Sequence, residues 1–231
     1  ASSGIMAISE GTQRSLLGMV VLVVSYMSLV KQNTPAAKEG YTTDADTGIA
    51  FPNTVRVDGK GLTLLGVGVR TKVVVNVYSA GFYAEAGPVA KDLKSFKGRT
   101  ATKLAGDAAF FKAIQMAPSA KAVILDFARA VGAAKVAEAL SAVPGAKAKP
   151  REELQACITA RGDLKKGDKL MLSWPRGAES VSVKSKQDTL CTVKDAALAK
   201  GLLTMYLGGS AVSPKLKSSI AKIAAETTLA A

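Results

Sequence analysis

The chain reads as an α+β protein, an antiparallel sheet with helices layered on one face, joined to an N-terminal membrane-anchor helix. Three observations predict this. Strand-like runs come first, near 54–57, 62–66, 72–78 and 80–85, and helical runs come mostly later, which suits segregated layers rather than alternating βαβ units. The runs 169–174 and 179–184 flank Pro175-Arg176-Gly177, a hairpin signal. Residues 16–30 run without a charge between Arg14 and Lys31. The expected division is an N-terminal segment over 1–31 with the anchor at about 16–30, a linker over 32–47, and one domain over 48–231.

The chain begins with Ala1, which leaves open the removal of a targeting peptide or a trimmed end. As a helix, Leu16 to Val30 would span about 22 Å, short of the roughly 30 Å hydrocarbon core. Snorkelling flanks and local thinning would let it cross, and Gly18, Ser25 and Ser28 suit close packing against other membrane helices. An uncleaved signal segment and a buried core helix compete with this reading. The core helix is disfavoured because the run has no amphipathic stripe and a polar linker with Pro35 and Gly40 cuts it off.

Gly66 to Glu85 is the stretch around which the domain is organised. It reads as a Gly-rich turn, then Arg70, then a strand through the β-branched run Val73, Val74, Val75 and Val77. Arg70 at the mouth of that strand needs an anion or must reach water. Tyr78, eight residues on, shares its face if the strand is unbroken. The pair is then a clamp for a carboxylate; the competing reading is a solvated edge charge. Gly66-Val67-Gly68 is no dinucleotide fingerprint, because the third glycine position holds Thr71 and a strand follows rather than a helix.

Residues 92–96 read as a short helix or turn, 103–111 as helix or strand, and 122–127 as a strand. Residues 131–142 form a helix with Val136 and Leu140 on one side, ended by Pro144-Gly145. Residues 151–160 form another, with Glu152 and Glu153 in its first turn favouring the helix dipole. A helix follows over 196–207, and Pro214 opens the last one, running to Thr227.

Composition removes several chemistries. The 231 residues contain no histidine, which excludes Ser-His-Asp and Cys-His nucleophilic schemes and imidazole metal sites. Cys157 and Cys191 are too few for a zinc site or a disulfide framework. One bridge between them is open; two buried free thiols is the preferred reading. The net charge is +13. Residues 1–47 hold three basic residues against four acidic, net −1, so the remainder carries +14. A basic domain suits RNA, anionic lipid or an acidic partner. The lysines are scattered and few aromatics lie among them, so the charge reads as solvated surface and no nucleic acid is expected.

Gly66-Val67-Gly68-Val69-Arg70 followed by Val77-Tyr78-Ser79-Ala80-Gly81-Phe82-Tyr83 resembles the signature of the chalcone isomerase-like superfamily, which includes plant chalcone isomerases and non-catalytic fatty-acid-binding relatives. Three further pieces agree in order: Phe51-Pro52 before Leu62-Thr63-Leu64-Leu65-Gly66, Gly167-Asp168-Lys169-Leu170 before Val181-Ser182-Val183, and Met205-Tyr206-Leu207-Gly208 before Val212-Ser213-Pro214. The resemblance covers roughly Gly48 to Thr227 and implies an open-faced sandwich whose ligand lies between sheet and helices.

For the plant enzymes the resemblance implies an arginine, a threonine, a tyrosine and an asparagine around the substrate. The arginine matches Arg70, and the threonine position holds Tyr78, as in the fatty-acid-binding branch. The tyrosine and asparagine belong on the helix after residue 127, but Val131 to Leu140 contains neither. Closing a ring needs donors placed for a developing enolate, and alanines supply none. The expectation is therefore a non-catalytic protein with Arg70 and Tyr78 on a fatty-acid carboxylate. It would serve as a membrane-anchored accessory subunit of an organellar membrane complex. Its expected partners are the membrane, other subunits and lipid. The thylakoid of a plastid is preferred over the mitochondrial inner membrane. The alternatives are a purely structural subunit with a degenerate pocket, and a fatty-acid or haem carrier outside any complex. Without histidine, haem iron would need Met, Cys or Tyr. No metal is expected, and a bound fatty acid or lipid is the only candidate cofactor.

Overall fold

The computed structural model describes residues 40–186 and 188–229. The expected anchor over 16–30 lies outside them, and among the described residues no helix is long and apolar enough to cross a membrane.

The frame is a seven-stranded antiparallel sheet in simple meander order. Its strands are β3 (Thr54–Val57), β4 (Lys60–Lys72), β5 (Val75–Ala84), β6 (Lys121–Phe127), β7 (Lys169–Trp174), β8 (Val181–Ser185) and β9 (Asp188–Val193). A separate ribbon pairs β1 (Tyr41–Thr43) with β2 (Ala50–Pro52). Strand β1 lies inside the stretch the sequence suggests is linker. Asp44 explains why: it is buried and accepts hydrogen bonds from Ser79 Oγ at 2.5 Å and Thr47 Oγ1 at 2.9 Å. A carboxylate held that way ties its strand to the domain.

Among the described residues seven α-helices accompany the sheet: α1 (Ala86–Asp92), α2 (Ala101–Gly106), α3 (Ala108–Met116), α4 (Ala133–Ser141), α5 (Ala148–Ala160), α6 (Ala196–Leu207) and α7 (Pro214–Ile223), the last running into a π turn over Ala224–Thr228. The ambiguous stretch 103–111 is helical and split in two by Asp107, whose carboxylate caps α3 through the amides of Ala109 and Phe110. Asp195 caps α6, and Ser213 caps α7 with Pro214 in its first turn.

The pleat divides the core. Tyr78, Ala80, Phe82, Val123, Leu125 and Phe127 face the helices and join one large cluster with Leu104, Phe110, Leu202 and Leu216. The alternate residues Tyr83, Ala122 and Ile124 face the other way, where Phe51 of β2 covers them. Trp174 is buried at the helix side, and its indole donates to the Ala199 carbonyl at 2.9 Å.

Two expectations near Arg70 are exchanged in the structure. The expected glycine turn is strand, and the expected valine strand holds the turn. Gly66 and Gly68 lie in the middle of β4, under α7. A Cβ on Gly68 would stand 2.2 Å from the Leu216 amide nitrogen, and one on Gly66 would stand 2.6 Å from Ile220 Cγ1. The glycines are there for close helix approach, not for bending. Helix α7 also satisfies the part of β4 that β3 is too short to pair: Val67 N donates to Ser219 Oγ at 3.1 Å, and Ser213 Oγ donates to the Val69 carbonyl at 2.7 Å. The chain reverses instead at Val73-Val74, between the paired residues Lys72 and Val75.

The two cysteines are not free thiols. Cys157 on α5 is bonded to Cys191 on β9, with Cα atoms 6.1 Å apart. Strand β9, which the sequence pattern does not reveal, brings Cys191 there.

Candidate functional site

Arg70 and Tyr78 meet by a different route from the one the sequence suggests. They do not lie on one strand. They are direct cross-strand partners on β4 and β5, flanking the hairpin that ends at Val73-Val74. Residues opposite one another in an antiparallel pair share a face as surely as residues two apart on one strand. A register shift between Arg70 and Thr71 lies immediately beyond the pair, the kind of irregularity that re-aims side chains.

Arg70 Nη1 donates to Tyr78 Oη over a long 3.5 Å, and the guanidinium carbon stands 5.7 Å from the centre of the phenol ring. Tyr78 Oη is 3.3 Å from Tyr206 Oη, on α6. Phe127 stacks edge-on against Tyr78, centroids 5.6 Å apart. Tyr78 and Tyr206 are buried and Arg70 half-buried. Burial alone would lower the Arg70 pKa, but the phenol oxygens of Tyr78 and Tyr206 more than offset it and the net direction is up. The guanidinium stays charged. Burial, reinforced by Tyr78, pushes the Tyr206 phenol well above its usual value, so it stays neutral.

The pair opens onto a cleft of about 450 Å³ between the hairpin and α4, within the roughly 300–1,000 Å³ typical of small-ligand sites. Strand β6 pairs with β5 only from Tyr78 onward, so the hairpin tip projects past the sheet and forms one wall with Val75 and Val77. Helix α4 forms the other with Val136, Ala139 and Leu140. Three further cations, Lys72, Arg129 and Lys135, line the same cleft. Among the described residues none of the four is within ion-pair distance of a carboxylate. An apolar slot with unneutralised cations suits an amphiphile with one anionic end.

Of the residues gathered here, the sequence singles out Arg70 and Tyr78, and both line the cleft. Tyr206 lies in a stretch that the sequence marks as a helix and a resemblance, with no role for the tyrosine. Arg129 and Lys135 carry no pattern, since Arg129 reaches the cleft from the turn between β6 and α4 and Lys135 from the first turn of α4. Among the described residues no cluster of Cys, Asp and Glu is placed to hold a metal ion. Both cysteines are in the disulfide, and of Met, Cys and Tyr the described cleft lining offers Tyr78 alone.

Comparison with known proteins agrees with this fold. A family model described as chalcone isomerase-like matches residues 44–220. The solved structure of the fatty-acid binding protein AtFAP1 of Arabidopsis thaliana superposes with a TM-score of 0.67 at 18% sequence identity, covering 80% of this chain and 98% of that one. Among curated proteins none matches the chain.

Proposed function

The chain belongs to the chalcone isomerase-like family, and from that premise we propose that it binds a fatty acid in the cleft beside α4 and catalyses no reaction on it. The carboxylate meets Arg70 and Tyr78, and the chain lies along Val77, Val136 and Leu140. The carrying observation is the half-buried Arg70, unpaired by any carboxylate among the described residues, at an open apolar cleft. A slot filled by its own side chains would have favoured a purely structural domain. The fatty-acid class is supported by the name of the similar Arabidopsis protein. The absence of catalysis is supported by α4: it turns Val136, Ala139 and Leu140 to the cleft, where the plant enzymes are expected to place a tyrosine and an asparagine.

A charge-assisted contact of this kind contributes about 1.5–3 kcal/mol, and each buried methylene about 0.8 kcal/mol. Lengthening the ligand by two methylenes should tighten binding about tenfold until the cleft is full. The test is calorimetric titration of the purified chain with palmitate, together with mass spectrometry of copurified lipid. One equivalent should bind, and Arg70→Ala should weaken it by tenfold or more. Equal affinity in Arg70→Ala removes the clamp; no binding at all removes the function. Anchoring by residues 16–30 in an organellar membrane complex is a separate proposal from the sequence. Loss of membrane copurification on deleting residues 1–32 tests it.

A further inference from the structure

The hairpin that walls the cleft ends in a feature the fold does not use. Val73 is 91% exposed and Val74 86%, and Val75 beside them is 38% exposed. Single exposed apolar residues are ordinary; three in a row at the tip of a projecting hairpin are not. Val73 also adopts a φ of +58°. Glycine, asparagine or aspartate takes that conformation at little cost, whereas a β-branched residue there is strained. The tip therefore keeps a side chain that is conformationally unfavourable and buries nothing within the domain. Around it stand Lys72, Arg129 and Lys135, without carboxylate partners among the described residues, and Val73, Val75 and Lys72 themselves line the cleft.

We propose that the tip docks on an anionic lipid bilayer. Val73 and Val74 enter the headgroup region and Lys72, Arg129 and Lys135 lie against the phosphates, so that the mouth of the cleft faces the membrane. This rests on reading the cleft as a fatty-acid site and adds the route by which the ligand arrives. A fatty acid then passes from bilayer to cleft with its carboxylate leading toward Arg70 and its chain following along Val73 and Val75, without the chain crossing water. Apolar residues ringed by cations are the combination that an anionic interface attracts and that salt weakens.

Two measurements on the full chain test this. In the first, the protein takes up a fluorescent fatty acid from vesicles of phosphatidylcholine containing about one third phosphatidylglycerol. The rate should rise with vesicle concentration, fall in high salt, and drop at least tenfold in Val74→Asp, a residue outside the cleft lining. Affinity for the same fatty acid added from solution should stay within twofold. A rate independent of vesicle concentration and unchanged in Val74→Asp overturns the proposal. In the second, a Trp reporter is placed by Val74→Trp and quenched with bromine-labelled acyl chains, the wild type with its buried Trp174 serving as control. Quenching in anionic vesicles is expected. No quenching in any vesicle overturns the docking. Quenching without fatty-acid binding would overturn the function of the cleft and leave the docking standing.

Discussion

Tyr78 Oη stands 3.5 Å from Arg70 Nη1 on one side and 3.3 Å from Tyr206 Oη on the other, so one buried phenol links the clamp to α6. Tyr78→Phe leaves the Tyr206 hydroxyl buried without this contact, which should cost about 1–3 kcal/mol. Replacing both tyrosines by Phe removes donor and acceptor together and should recover much of that loss. Urea denaturation of the two singles and the double completes the cycle. Additive losses would show that the phenols do not interact.

At Gly68 the backbone of α7 lies directly against β4. Gly68→Ala puts a methyl group where the Leu216 amide stands, and the backbone of α7 cannot yield as a side-chain end would. The expected loss is about 3 kcal/mol, read from denaturant midpoints. Gly61→Ala, in the same strand with open space around it, is the control and should be near neutral.

The bond between Cys157 and Cys191 closes a loop with a sequence separation of 34 residues. By chain entropy that contributes about 3–4 kcal/mol. Reduction should therefore lower the thermal midpoint markedly. Cys157→Ser should be as unstable as the double serine variant and insensitive to reductant. A wild type indifferent to reductant would mean the bridge contributes nothing.

Glu85 accepts from Arg176 Nε at 2.9 Å, from Arg176 Nη2 at 2.7 Å and from the Ala120 amide at 2.7 Å. The Arg176 hydrogen bonds, together with the Ala120 amide, pull its pKa down to about 2 against desolvation. A depressed carboxylate stabilises the fold above its unfolded pKa of about 4.3 and loses that contribution as pH falls toward 2. Arg176→Ala should raise the carboxylate pKa and flatten the loss of stability between those limits. Circular-dichroism melts across that pH range measure it, and curves that superpose would remove Glu85 from the acid response.

Much of the architecture is written in short-range patterns. The hairpin turn at Pro175-Arg176-Gly177, Pro214 at the start of the last helix, and the strands read at 122–127 and 169–174 depend on neighbours a few residues away, and the sequence shows them. It also singles out Arg70 and Tyr78, though on one unbroken strand rather than on the two paired strands that hold them, and leaves α4 without tyrosine or asparagine. The tertiary structure decided the rest. Valine propensity favours strand through residues 73–77, but β propensity is weak against packing. Helix α7 requires Gly66 and Gly68 inside β4, and the register that follows puts the turn on Val73-Val74. A disulfide needs its Cα atoms within about 7 Å, a distance created only when β9 and α5 pack. Tyr206 reaches Tyr78 across 128 positions of chain, and the cleft exists only because α4 stands beside the hairpin. Local residues encode which elements form. Which side chains then meet depends on how those elements fill space, and no single segment carries that information.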